Sequence, residues 1–260
     1  MMSAKSILIA SSGRTGTTYI QDVLSSCFVN LYQEPDLSRF IYMLSNFADA
    51  QQSHAASSII ENVAVELYNR GVHARYNRQP NTAYVEINPF VSNILPQFAQ
   101  SNGFRYDAMV HIVRKPSSWV KSMIQFGAYS WRKPIIRRIP FAFHRDKSVK
   151  NWSTLTFAQK LGHEWVHRNN RINESKKYFP VHFTVKYEDI FFEDKVDFQP
   201  LMPVFDDLGL PTALIASMLP AGRSNSSIPE QNNFSMTQAD TQYIRMLTAH
   251  LEECFGYETA

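Results

Sequence analysis

Glycine and cysteine are scarce in this chain and long apolar runs are missing, and each shortage excludes a class of protein. Nine glycines and thirteen prolines in 260 residues are too few for a collagen-like repeat or a Pro/Gly-rich low-complexity chain. The two cysteines, Cys27 and Cys254, stand at opposite ends. They make neither a disulfide framework nor a metal box, and they fit a reducing compartment. The first apolar run, residues 7–10, is far shorter than a signal-peptide core and leads straight into a polar turn. Nothing approaches the roughly 20 apolar residues of a membrane span. The expectation is a cytoplasmic protein with no transmembrane segment. What is present suffices for a core: 44% of residues are hydrophobic and 13% aromatic, against 19% charged. That excludes wholesale disorder, and the length is near the upper end of one domain, taken here as 1–260.

A net charge of +3 does not suggest a nucleic-acid-coating protein. Its distribution is uneven. Between Trp131 and Lys150 stand Arg132, Lys133, Arg137, Arg138, Arg145, Lys147 and Lys150 against the single acid Asp146, so the rest of the chain is net negative. Residues 128–152 read as a basic, aromatic insertion or lid, the aromatics being Tyr129, Trp131, Phe141 and Phe143.

Short apolar runs at 6–10, 27–32, 83–87, 108–113 and 181–185 read as buried strands. Between and after them, helical spacing covers 17–27, 59–68, 89–100, 116–126, 157–173 and 238–255. Buried strands alternating with helices predict an α/β fold, an open parallel sheet with helices on both faces.

The first strand runs into Ser11-Ser12-Gly13-Arg14-Thr15-Gly16-Thr17-Thr18 and then a helix. A turn rich in glycine and hydroxyls at a helix start offers backbone N–H groups and the positive end of the helix dipole, a cradle for phosphate. Thr17 stands where a nucleoside-triphosphate loop requires Lys; the fixed cation is Arg14. A second cluster, Arg114-Lys115-Pro116 with Ser122 on the following helix, places an Arg and a Ser where both can grip one phosphate.

Together the two clusters resemble the paired signatures of sulfotransferases that use 3′-phosphoadenosine 5′-phosphosulfate (PAPS). In that family a loop like the one from Ser11 to Thr18 binds the 5′-phosphosulfate, and an Arg-x-Pro element with Ser eight residues on binds the 3′-phosphate. Further similar elements follow in order: Val185-Lys186-Tyr187-Glu188-Asp189-Ile190, Phe205-Asp206-Asp207-Leu208-Gly209-Leu210, a polar loop at Arg223-Ser224-Asn225-Ser226-Ser227, and Phe255-Gly256-Tyr257. The resemblance spans residues 6–257 and implies a P-loop-like fold and sulfonyl transfer from PAPS, with no metal. An Arg in the loop looks closer to the carbohydrate and tyrosylprotein branches than to the cytosolic phenol-type branch. It implies a donor site of Ser12, Gly13, Arg14, Thr15, Gly16, Thr17, Thr18, Arg114, Ser122, Tyr187, Arg223 and Ser227. The catalytic pair it implies is Arg14 and Glu34.

Glu34 stands 20 residues beyond Arg14 in Tyr32-Gln33-Glu34-Pro35, and a carboxylate there can take the acceptor's proton. Glu86 is the alternative base. Ile87 departs from the family, whose relatives carry Lys at that strand end. The acceptor is expected to be a small molecule, glycan or lipid, anionic if the basic stretch steers it. Two rivals remain: a nucleotide-dependent kinase, disfavoured by Thr17, and a non-catalytic nucleotide- or polyanion-binding module. His163-Glu164-x-x-His167 matches the zinc-peptidase pattern, a short motif that chance produces, with His182 or Glu188 as a third ligand. His111, inside a strand, reads as a core histidine.

Overall fold

The computed structural model describes residues 5–51, 53–126, 144–192, 195–210, 212–217 and 236–258. Strand β1 (Ser6–Ser11) is buried along its whole length. Its side chains alternate faces: Ile7 and Ile9 enter one core, Leu8 and Ala10 the other. With both faces covered, such a strand reads as an unbroken apolar run rather than an alternating one. Parallel to it lie β2 (Asn30–Gln33), β3 (Tyr84–Asn88), β4 (Ala108–Val113) and β5 (Val181–Lys186), in the order β2-β3-β1-β4-β5. Ile7 lies opposite both Val85 and Ala108.

One face packs on α1 (Thr17–Ser25), which contributes Ile20, Val23 and Leu24 beside Ile7, Ile9, Val85 and Ile87. The other carries α2 (Ser38–Ala50), α3 (His54–Tyr76) and α4 (Leu95–Gln100). A third cluster joins α5 (Pro116–Gln125), α6 (Phe157–Ser175) and α7 (Gln238–Cys254) around Trp119, Trp165 and Ile244. The sheet with helices on both faces is the α/β architecture expected. Among the described residues no helix is long and apolar enough to cross a membrane.

Four local departures have physical causes. Strand β2 starts at Asn30 rather than 27, because the N–H groups of Cys27 and Phe28 both bond back to Leu24 O and close the turn after α1. The helix α2 has no counterpart in the sequence pattern: its buried face mixes Ser38, Ser45 and Asn46 with Ile41 and Tyr42, which blurs the apolar period. The helix α3 runs well past 59–68. Ser53 caps it by accepting from the Ala56 N–H, and Asn69 and Arg75 lie on its buried face. Within 89–100 only Leu95–Gln100 is helical; the Asn88 side chain accepts from the Phe90 N–H and holds a turn before it.

Candidate functional site

All five strands point their carboxyl ends to one edge, where ligands of parallel α/β sheets bind. Three non-glycine residues have positive φ among the described residues: Arg14 at 54°, Glu34 at 43° and Leu37 at 70°. All lie in the two loops that follow β1 and β2. Such strained backbone gathers at functional sites.

The loop after β1 turns at Gly16, whose φ is 71°. A Cβ there would sit 2.3 Å from Cε2 of Phe191, so only glycine fits. No side chain caps the start of α1 and no acid stands in its first turn, which leaves the positive helix end for an anion or water. Three donors hold the loop's carbonyls. Arg168 Nη1 bonds Ser12 O at 2.9 Å, Trp119 Nε1 bonds Gly13 O at 2.8 Å, and Arg114 Nη1 bonds Arg14 O at 2.8 Å. In a trans peptide the N–H points opposite its carbonyl, so the Arg14 and Thr15 N–H groups are turned away from these donors. The hydroxyls of Ser12 and Thr15 are buried and lack a hydrogen-bond partner among the described residues. A hydroxyl left so costs about 1–3 kcal/mol, which an anion's oxygen would recover.

The two arginines are drawn together. Arg14 donates from Nε to Ser122 Oγ at 3.2 Å and lies over the Phe126 ring. Arg114 donates from Nε to Ser118 Oγ at 2.9 Å and lies over the ring of Tyr187, the first residue of a single helical turn. Burial, with the Arg114 guanidinium beside it, holds Arg14 below the usual arginine range. A bound anion would relieve that repulsion. The structure thus brings Ser12, Gly13, Arg14, Thr15, Arg114, Ser122 and Tyr187 into one network, with Ser122 on Arg14 and Ser118 on Arg114. Thr17 is buried in the first turn of α1, and the exposed Thr18 accepts from Gln33 Nε2 at 3.3 Å. Arg223, Ser227, Arg137 and Arg138 lie outside the described residues, as does most of the basic stretch.

Glu34 follows β2, its N–H extending the ladder to Ile87 O at 2.9 Å. Its carboxylate accepts from the exposed Arg39 at 2.8 Å and is itself partly open to solvent. Glu86 is closed off. Fully buried, it accepts from Tyr68, Tyr84, Tyr106, Arg75 and Asn88. With five donors and no solvent it serves to hold Asn88, whose amide also reaches Ser38; it is not placed to meet an acceptor. Ile87, one residue from the end of β3, is buried in the α1-side core.

The zinc-peptidase pattern does not close on one point. His163 has both ring nitrogens occupied, facing Asp146 at 3.0 Å and the Tyr243 hydroxyl at 2.9 Å. Glu164 turns to Arg168, Tyr42 and the His144 N–H. His182 is exposed on β5, and Glu188 accepts from Lys115 N–H and the Tyr257 hydroxyl. His111 is a core residue: its Nε2 faces Asn169 at 2.9 Å, and burial lowers its pKa to about 3.

Nothing in the sequence pattern marks Trp119, Trp165 or Ser118 as a site residue. Trp165 Nε1 donates to Arg114 O at 2.9 Å, completing the brace begun by Trp119 and Arg168. Only Arg168 carried a signal, its i,i+4 spacing from Glu164.

No family model matches the chain, and no curated protein matches it in sequence. Solved structures do resemble it. A sulfotransferase domain from the curacin biosynthetic pathway matches over 98% of both chains with 14% identity and a TM-score of 0.50, a likeness of fold. A sulfotransferase from Alicyclobacillus acidocaldarius covers 98% of this chain and 96% of its own, at 13% identity and a TM-score of 0.46.

Proposed function

We propose that the chain is a PAPS-dependent sulfotransferase, moving a sulfonyl group to a hydroxyl or amine of a glycan, lipid or small-metabolite acceptor. The observation that carries the reading is the convergence of Arg14 and Arg114 on one loop, beside buried orphan hydroxyls and the uncapped start of α1. Two cations held on one loop suit a ligand with more than one anionic group. The fold shared with the curacin-pathway sulfotransferase domain supports the same reading.

PAPS would supply the activated sulfonyl group. Arg14, with the N–H groups of residues 14–18, would hold the phosphosulfate; Arg114 and Ser122 would hold the 3′-phosphate against Tyr187. Arg223 and Ser227 are assigned to the same site from the sequence. Glu34 takes the acceptor's proton as its oxygen bonds to sulfur. The bond from sulfur to the phosphate oxygen breaks, and Arg14 neutralises the charge left there. Arg39 bonds the Glu34 carboxylate at 2.8 Å and holds it at the sheet edge. The Arg in this loop resembles the carbohydrate and tyrosylprotein branches more than the cytosolic phenol-type branch, and if the basic segment steers the acceptor, an anionic one is expected.

Thermal unfolding with adenosine 3′,5′-bisphosphate, AMP and ATP tests the donor. At about 100 times its dissociation constant a ligand stabilises by ~2.7 kcal/mol, so the bisphosphate should raise the melting temperature by several degrees and AMP by much less. An equal shift with ATP, or none with the bisphosphate, overturns the reading. Glu34→Gln should lower sulfonyl transfer by roughly 10²-fold or more and leave bisphosphate affinity near wild type.

A further inference from the structure

The His-Glu-x-x-His pattern fails as a peptidase centre, yet one of its histidines enters a different cluster. His167, on α6, meets Asp49 near the end of α2 and His144, which lies within the basic stretch. One ligand-type atom from each of the three lies within 4.8 Å of the other two. Asp49 Oδ2 stands 3.5 Å from His144 Nδ1 and 3.7 Å from His167 Nε2. These separations are too long for good hydrogen bonds. They match the spacing between ligand atoms around a tetrahedral ion, about 3.3 Å for bonds of about 2.0–2.1 Å.

The same three atoms, Asp49 Oδ2, His144 Nδ1 and His167 Nε2, are buried without a hydrogen-bond partner among the described residues. Three orphaned polar atoms facing one another need a shared partner, because buried polar groups are seldom left unmet. The charges nearby suit a cation. Glu164 accepts from the His144 N–H and sits one turn from His167, while its own charge is answered by Arg168. Arg171 is occupied by Asn93 O and Gln97.

We infer that Asp49, His144 and His167 form a binding site for one divalent transition-metal ion of zinc type. Two imidazoles and a carboxylate select zinc or cobalt over magnesium and calcium, and they leave a fourth position for water. The ion ties α2 and α6 to the chain at residue 144. His167 directly precedes Arg168, which braces Ser12, and the ion takes no part in group transfer, so the inference stands whether or not the proposed transfer is correct. The two rings are stacked, 3.5 Å apart and 7° from parallel. Aiming both lone pairs at one ion requires them to rotate apart, which gives binding a spectroscopic signature.

The test is titration of the full chain with Zn²⁺ and with Co²⁺, with Mg²⁺ as the control. Calorimetry, cobalt visible absorption and histidine ring NMR are the readouts. One equivalent of Zn²⁺ should bind, Co²⁺ should give the intense bands of tetrahedral coordination, and the resonances of two histidines should shift. His144→Ala, His167→Ala and Asp49→Asn should each weaken Zn²⁺ at least tenfold, while His163→Ala stays within twofold. Circular dichroism of the metal-free variants confirms that they fold; if an alanine variant does not, wild-type NMR and Asp49→Asn decide. Absence of stoichiometric binding, or of paired histidine shifts, overturns the inference. So does loss of affinity in His163→Ala as large as in His167→Ala.

Discussion

Gly16→Ala perturbs the loop at its tightest point. Gly16 has a φ of 71°, and an added Cβ would lie 2.3 Å from Phe191 Cε2 and 2.4 Å from Cζ. A left-handed conformation costs a residue with a Cβ about 1–2 kcal/mol, and forcing a methyl into packed surroundings adds about 1–3 kcal/mol. Reduced freedom of the unfolded chain returns about 0.4–1 kcal/mol. The net loss is then about 1–5 kcal/mol, a large part of the ~5–15 kcal/mol that holds most domains folded. Phe191 cannot simply swing away: it meets Tyr19 edge-on at 5.6 Å and packs on Tyr187 at 4.8 Å. Because Tyr187 lies under Arg114, the displacement carries into the proposed anion site, and bisphosphate affinity should fall as well. Urea unfolding of wild type, Gly16→Ala, Phe191→Leu and the double variant separates the two causes. The steric share should appear as a favourable coupling of about 1 kcal/mol or more between the two changes. A Gly16→Ala loss below about 0.5 kcal/mol, or no coupling with Phe191→Leu, refutes the steric account.

Two other outcomes follow from buried charges. Glu164→Ala should destabilise by about 3–5 kcal/mol, since Arg168 would be left buried without its carboxylate; urea unfolding reads the loss, and anion affinity should drop through Ser12. His111 titrates at about 3 when folded and near 6.5 when unfolded, so below pH 6.5 the unfolded chain binds the extra proton. Stability present above pH 6.5 should therefore be lost as pH falls toward about 3, at up to ~1.4 kcal/mol per pH unit. His111→Gln should flatten that slope in acid unfolding measurements; an unaltered slope shows that other groups carry it.

The β1–loop–α1 unit was legible because its signals are local. An unbroken apolar run, a glycine-bearing turn and a 3.6-residue period each depend on neighbours along the chain. The same holds for β3, β4, β5 and α6, whose bounds fall within two residues of those read from periodicity. The helix α2 was not legible, since Ser38, Ser45 and Asn46 are buried on its inner face and a polar residue tells its burial only through its partners.

The candidate site divides along the same line. The sequence by itself determined that Arg14, Glu34, Arg114 and Tyr187 follow strands, and a parallel sheet then places all of them at one edge. Only the tertiary structure decided what each polar group does there. Glu86 and Glu34 are both acids at neighbouring strand ends. Three tyrosine hydroxyls and Arg75 converge on Glu86 and remove it from solvent, whereas Glu34 meets one exposed arginine. Likewise His163 and His167, four residues apart on one helix, part company because Asp146 and Tyr243 claim the first while Asp49 and His144 face the second. Hydrophobic burial is non-directional and leaves a periodic mark along the chain. A buried polar group is satisfied by directed bonds to whatever distant segments packing brings near, and that pairing has no period to read.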